Sequence, residues 1–454
     1  MSNSICEAEV KQKKRESRRA VIASYLGSTV EYYDFLLYGS AASLVFPALF
    51  FSDLDPGLGI ILSFLTLATG YIARPIGGLL FGHFGDKYGR KQILFITLMV
   101  MGIVSILIGL LPTYQTIGLA APIALLVLRI LQGLAVGGEW AGATLMAMEH
   151  SSKKSKGLGA SIAVSGGPSG AVLATLVLGA FSLMPEDQFM SWGWRVPFLL
   201  SALLVVIGLY LRHRVAESPD FEAEKKKEEA QSLPTGVPLV ELFRTSSKEI
   251  GLGTLSGLAP LFIQSLLATF ALTYAVSIGH SRSDALLMLT IANTLHIFTI
   301  PLMAAVSDRF GRRPVMLTGA GLGMILIWPM FSLISHENPW VMLLGFIIGN
   351  PIIQAVMYGP MGAFISEKFT TRTRYTGLSL TYQLTSLIGA GFTPIIAQAL
   401  LQSAGGGTNT QYIATLFCVL CVMTAVGVYW SKETAVVKAD PVRAKITNVA
   451  RNSL

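Results

Sequence analysis

Twelve apolar runs, each long enough to cross the hydrocarbon layer of a bilayer, decide what this chain can fold into. At about 20 residues per crossing, six lie near 21–50, 57–84, 91–112, 120–147, 155–183 and 194–212. Six more lie near 249–278, 284–307, 314–335, 339–366, 373–402 and 409–431. Inside lipid a backbone must satisfy its own N–H and C=O groups, and runs this long and continuous do so as helices. The expected fold is all-α and integral to a membrane, with twelve transmembrane helices. Runs beyond the minimum length are accommodated by tilt and by ends that project past the bilayer.

Charge placement agrees. Only 13% of the residues are charged, whereas a soluble chain carries roughly a quarter. The formal net charge of +8 does not point to nucleic acid, which needs a basic face on a soluble domain. With the N-terminus in the cytoplasm and the sides alternating, 30 of the 34 lysines and arginines fall on one side. They occupy the N-tail (Lys11, Lys13, Lys14, Arg15, Arg18, Arg19), the loops at 85–91, 148–157, 212–248, 308–313 and 367–374, and the C-tail. The opposite side keeps Arg195 and Arg282, while Arg74 and Arg129 fall within helices. The positive-inside rule then predicts that both termini are cytoplasmic. The N-tail carries acids and lacks a small-residue cleavage site, so the first helix reads as an uncleaved insertion signal. Cys418 and Cys421 form a C-x-x-C inside an apolar helix and read as packing residues.

The one long interruption, with "ESPDFEAEKKKEEAQSLPTGVP" at its heart, has charge blocks and two prolines, and predicts a linker with a short surface helix. The expected plan is an N-tail (1–20), a six-helix bundle (21–212), a cytoplasmic linker (213–248), a second bundle (249–431) and a C-tail (432–454). A repeat supports it: "GHFGDKYGRK" (82–91) follows the second helix of one half and "AAVSDRFGRR" (304–313) that of the other. Asp86 and Asp308 stand 222 residues apart. Two pseudo-symmetric halves suit a carrier that rocks about a site near mid-membrane.

These loops resemble the G-x-x-x-D-[RK]-x-G-R-[RK] signature of the major facilitator superfamily. Gly82, Asp86, Lys87, Gly89, Arg90 and Lys91 fit it in the first copy, and Asp308, Arg309, Gly311, Arg312 and Arg313 in the second, where Ala304 replaces the first glycine. "VEYYDF", "RILQGLAVGGEW" (129–140), "SWGWRVPF" (191–198), "ESPDFE" (217–222) and "TRYTG" (373–377) further resemble the metabolite:proton symporters. Thr370 stands where that family usually has proline. The resemblance implies a bacterial inner-membrane carrier for shikimate, α-ketoglutarate, citrate or proline/betaine-type solutes.

Physical reasons for the signature are plain. Its glycines permit a tight turn, Asp86 can cap a helix N-terminus, and Arg90 can pair with an acid on a neighbouring helix. Gly82, Asp86, Arg90, Asp308 and Arg312 are therefore the expected gating residues, set against a reading as topogenic charge and turn.

Within helix 1, Gly27, Glu31, Asp34 and Tyr38 share one face. Helix 4 presents Arg129, Gln132 and Glu139 with Gly133 and Gly137 beside them, and helix 2 adds Arg74, followed by Pro75, where a kink is expected. Glu139 lies about 15 Å along its helix from Arg129, which places it toward the cytoplasm and in expected reach of Arg90, as a further gating residue. Isolated charges in the bilayer centre cost ~2.5–3.5 kcal/mol each on lenient scales, so Glu31, Asp34, Arg74 and Arg129 are expected to pair with one another. Two roles remain open for them: a fixed structural network, or proton coupling in which Asp34 or Glu31 takes up H⁺ and frees an arginine for an anionic solute. The expected coupling residues are Asp34, Glu31 and Arg129. The expected solute-binding residues are Arg74, Arg129, Gln132, Tyr38, Gln264 and Tyr382.

The second half has no charge deep in its helices. Gln264, Tyr274, Asn293, His296, Asn350, Gln354, Tyr358, Tyr382 and Gln383 could bind solute or tie helices together. No phosphate-binding G-x-x-x-x-G-K-[ST] loop appears, nor a nucleophile–base pair or metal-ligand cluster, so neither an ATP-driven pump nor an enzyme is expected. The leading expectation is proton symport of a small organic acid, shikimate or a dicarboxylate, because guanidinium groups bind carboxylates at two points. No metal, cofactor or nucleic acid is expected; the coupling ion is the proton and the chain acts as a monomer. A carrier of a zwitterionic osmolyte is the alternative, made less favourable by a short basic C-tail without heptads; a receptor or channel is the rival class.

Overall fold

The computed structural model describes residues 2–152, 154–181, 183–231 and 238–434. The linker segment 232–237 and the C-tail from 435 onward lie outside the described residues, as do the side chains of Lys13 and Lys14.

The described residues form helices and connections only. The N-terminal half contains α1 (Ser2–Leu44), α2 (Pro56–Tyr88), α3 (Arg90–Leu110), α4 (Ala120–Glu149), α5 (Lys156–Phe181) and α6 (Arg195–His213). The second half contains α7 (Ser247–Ser256 continuing as Leu258–Ser277), α8 (Arg282–Phe310), α9 (Arg312–Ile334), α10 (Pro339–Ser366), α11 (Arg374–Ser403) and α12 (Gln411–Tyr429). Among the described residues, eleven helices are apolar and long enough to cross a membrane. The twelfth element is α1, which carries the basic tail and the acids Glu31 and Asp34 and packs inside the first bundle with Leu37, Tyr38 and Ala42 buried.

All twelve helices fall where the apolar runs predict them. All but α1 begin and end within about four residues of the predicted bounds, and α1 departs at both ends. Helix α1 starts at Ser2 rather than 21, because Lys, Gln, Glu and Arg propagate a helix as well as apolar residues do, with Gln12 donating to Glu16 at 3.1 Å. The run to residue 50 breaks at Val45, and Phe46–Phe50 forms a separate turn with Pro47 near its start, where a missing N–H does no harm. The linker holds two helices rather than one, Pro219–Gln231 and Pro238–Thr245. Helix α2 is continuous through Pro75.

Packing follows from small residues. A Cβ on Gly137 of α4 would lie 2.3 Å from the Arg74 carbonyl oxygen of α2, so the two backbones are in direct contact. Exposed Ile61, Leu65, Ile72, Ile76 and Leu80 make an apolar stripe on the outside of α2, the face that meets lipid. One buried cluster joins the halves: Trp140, Leu145 and Val164 pack with Tyr358, Phe364, Tyr375 and Leu378.

Candidate functional site: the cavity between the halves

A cavity of about 850 Å³, counting its open mouth, separates the two halves. One wall is Glu31, Tyr32, Phe35, Tyr71 and Arg74, from α1 and α2. The other is Gln264 of α7, Asn293 and His296 of α8, Asn350 of α10, and Tyr382 and Ser386 of α11. Among these lining residues the carboxylate and guanidinium belong to the N-terminal half, and the other wall offers no acid, lysine or arginine. Three helices of the second half carry a π turn, at Leu266–Phe270, Ile348–Gln354 and Leu387–Gly391, and each turn contains a cavity-lining residue. Such turns widen a helix locally and recur at functional positions.

The buried charges do not pair as the sequence leads one to expect. Arg74 and Arg129 sit on aromatic rings: the Arg74 guanidinium carbon is 4.5 Å from the centre of Phe35 and 4.4 Å from that of Tyr71. Arg129 is 4.0 Å from the centre of Tyr38 and 5.3 Å from that of Phe35. Desolvated cation–π contacts of this kind are worth about 2 kcal/mol, which offsets part of the burial of each guanidinium. Asp34 accepts from Ser105 Oγ at 2.8 Å and from Ser201 Oγ. It reaches Arg129 only through a chain: Gln132 Nε2 donates to Ser105 Oγ at 3.1 Å and Arg129 donates to Gln132 Oε1 at 2.6 Å. Among the described residues, Glu31 Oε2 and the Nε atoms of Arg74 and Arg129 are buried without a hydrogen-bond partner.

The expected binding residues therefore separate into groups. Arg74, Gln264 and Tyr382 line the cavity with Glu31. Arg129 and Gln132 line a smaller void of about 220 Å³ behind it, which Glu31 and Arg74 also border. Asp34 and Tyr38 line neither; Tyr38 shares a 2.8 Å hydrogen bond with Thr66 beneath Arg129. Gln383 and Tyr274 act as ties between helices, donating to the Gly137 carbonyl at 3.0 Å and meeting Ser335 at 2.6 Å.

Below the cavity, toward the signature loops, the halves are joined. Tyr32 Oη lies 3.2 Å from Tyr382 Oη and 3.5 Å from Tyr358 Oη. Trp140 stacks flat on Tyr382, with centroids 3.6 Å apart, and its Nε1–H donates to Tyr358 at 3.2 Å. Asp86, about 18 Å along α2 from Arg74, accepts from the backbone N–H groups of Tyr375 and Thr376 at 3.1 and 2.8 Å and from Thr376 Oγ1 at 2.8 Å. It caps the N-terminus of α11, a helix of the opposite half. Asp308 mirrors it, accepting from Gly157 and Leu158 N–H at 2.9 and 2.8 Å at the start of α5. Ala304 in place of the first glycine does not keep Asp308 from its helix. Where the first copy has Gly82, a Cβ would lie 2.7 Å from Thr376 Cα. Gly89 and Gly311 turn into α3 and α9 with φ of 116° and 106°, which require glycine.

The partner expected for Arg90 is corrected. Arg90 pairs with Glu149 and donates to Ser218 Oγ at 2.8 Å, whereas Glu139 pairs with Arg212 and accepts from Thr97 Oγ1 at 2.7 Å. The loop end of α4 is Glu149, level with Arg90, while Glu139 lies about 15 Å further in and is met by the long side chain of Arg212 at the end of α6. Arg312 pairs with Asp308 at 2.6 Å and Glu367 at 3.2 Å. Sequence reasoning also missed two acids that follow the last helix of each half. Glu217 accepts from Lys91 N–H at 3.1 Å, and Glu433 from Arg312 and Arg313 N–H at 3.1 and 2.8 Å. Their shared pattern, Glu-Ser at 217–218 and Glu-Thr at 433–434, is a repeat that could have revealed them.

Residues 20–234 match the family described as "Sugar (and other) transporter", and residues 252–452 match "Major Facilitator Superfamily". The chain is 38% identical over 414 residues to the shikimate transporter of Escherichia coli (strain K12), covering 90% of this chain and 94% of that one. It is 35% identical over 430 residues to the proline/betaine transporter of the same organism, covering 92% and 84%. Among solved structures, the proton:xylose symporter XylE bound to 6-bromo-6-deoxy-D-glucose superposes with a TM-score of 0.75 over 93% of this chain and 97% of that one, at 17% identity. The chain belongs to the major facilitator superfamily, in the branch that holds the shikimate and proline/betaine transporters, and is a membrane transporter rather than an enzyme.

Proposed function

We propose that this chain takes up a small organic acid together with protons, by alternating access, across a bacterial inner membrane. The observation that carries the reading is Arg74: a guanidinium held in the cavity wall by Phe35 and Tyr71, with no acid paired to it among the described residues, on the same wall as Glu31, whose Oε2 has no hydrogen-bond partner. Such a group binds a carboxylate in two-point fashion. The same contacts make a quaternary ammonium solute, which is held by aromatic faces, the less favoured cargo: Arg74 lies over Phe35 and Tyr71 and Trp140 over Tyr382, leaving Tyr32 among the cavity's aromatic residues.

Protons enter through α1. A neutral Glu31 no longer repels the incoming carboxylate, so proton and anion favour each other's binding, as linkage requires. Asp34, through Ser105 and Gln132, transmits its own charge state to Arg129. With the basic loops cytoplasmic, the joined face is the inner one and the cavity is that of an outward-facing state. Both cavity walls come from one chain, which supports action as a monomer, with the proton gradient and no cofactor as its energy source.

In proteoliposomes with an acid exterior, labelled shikimate or α-ketoglutarate accumulates and a protonophore collapses the gradient. Glu31→Gln and Asp34→Asn each lose proton-driven accumulation while solute exchange continues. Intact accumulation in both variants refutes the coupling scheme, and uptake of glycine betaine in place of either acid favours the osmolyte reading.

A further inference from the structure

We propose that His296 and Asn350 recognise a hydroxyl group at the uncharged end of the solute, so that the carrier prefers hydroxylated carboxylates to carboxylates of the same shape without the hydroxyl. The inference rests on the organic-acid reading above and concerns the opposite wall of the cavity. Both side chains line that cavity and are nearly inaccessible, at 2% and 4% exposure. Asn350 Nδ2 donates to Asn293 Oδ1 at 2.9 Å, yet among the described residues Asn350 Oδ1 has no hydrogen-bond partner, and neither has His296 Nε2.

This distinguishes them from the polar residues that tie helices in the same half. Gln383 reaches a carbonyl, Tyr274 reaches Ser335, and Thr424 accepts from Ala259 N–H at 3.0 Å. Unmatched buried atoms also occur in this half on side chains that do not line the cavity, those of Gln354, Ser379, Thr381 and Gln383. Those of His296 and Asn350 belong to cavity-lining side chains, where a solute can relieve the cost of leaving them unmatched. Asn350 sits within the π turn of α10, and Asn293 and His296 stand three residues apart on one face of α8, so both are presented by rigid elements.

The chemistry selects the group. An amide oxygen only accepts, and an imidazole nitrogen donates or accepts according to its tautomer. A carboxylate or keto oxygen only accepts and leaves Asn350 Oδ1 unmatched, and a quaternary ammonium satisfies neither atom. A hydroxyl donates to one and accepts from the other.

The test compares two ring acids of the same skeleton, shikimate and cyclohex-1-ene-1-carboxylate, as substrates of the purified full-length chain in liposomes. The wild type is expected to half-saturate with shikimate at a concentration at least about tenfold lower, because a site built to bond a hydroxyl rejects the analogue lacking it. In Asn350→Leu and His296→Phe the ratio between the two acids falls toward one, and His296→Gln restores part of it. Equal handling of the two acids by the wild type overturns the proposal and leaves the organic-acid reading standing, as does an equal loss for both acids in the variants. Uptake of glycine betaine and neither acid overturns the organic-acid reading and the proposal with it.

Discussion

At Asp86 one carboxylate answers three donors, two of them backbone N–H groups at the start of α11. Charge-assisted bonds to a helix N-terminus are among the stronger polar contacts available, and here they cross from one half to the other. Asp86→Asn keeps the size and removes the charge, so transport of the labelled acid is expected to fall at least tenfold with undiminished protein in the membrane, read by uptake and immunoblot. At this scale the sequence was partly legible. Buried charges announce themselves by standing in apolar runs, which singled out Glu31, Asp34, Arg74 and Arg129. Their partners did not follow, because partnership depends on helix rotation and on side chains distant in the chain. Phe35 and Tyr71, the seats of Arg74, carry no mark that separates them from other aromatic residues in a span. Arg90 found Glu149 rather than Glu139 because the depth of an acid along its own helix does not give the level of a loop residue on the neighbouring one.

The helices other than α1 were legible to within about four residues, since length and hydropathy are properties of a run and need no tertiary information. Interruptions were not. The π turns at Leu266–Phe270, Ile348–Gln354 and Leu387–Gly391 leave hydropathy unchanged, and only Gly349-Asn350-Pro351 hints at one of them. Contact between elements is set by their smallest residues, and it yields a contrast. A methyl on Gly137 would stand 2.3 Å from a backbone carbonyl of α2, whereas one on Gly39 meets nothing within 4 Å. Gly137→Ala is expected to destabilise by about 1–3 kcal/mol, as overpacking does, and Gly39→Ala to be neutral or stabilising. Thermal denaturation of the purified proteins in detergent separates the two.

Across the whole molecule, each half carries its own lashing: Glu217 holds the start of α3 and Glu433 the start of α9. These two backbone bonds each lie within one half, so they can persist while the halves part, as rigid-body rocking requires. In a cysteine-free background with Asp308→Asn, spin labels at positions 87 and 370, on opposite halves, are expected to move apart by several ångströms. Labels at 87 and 213, both in the first half, keep their spacing. Pulsed electron resonance distances decide it, and a change in both pairs would contradict rigid halves. The caps made by Asp86 and Asp308 have a further effect. The field at a helix end fades within about one turn, so a small parting of the two bundles releases the grip altogether, with no gradual slackening. Such a fastening snaps rather than stretches. It disfavours any intermediate that lies ajar on both sides of the membrane, and so guards the cell's ion gradients against leakage through its own carrier.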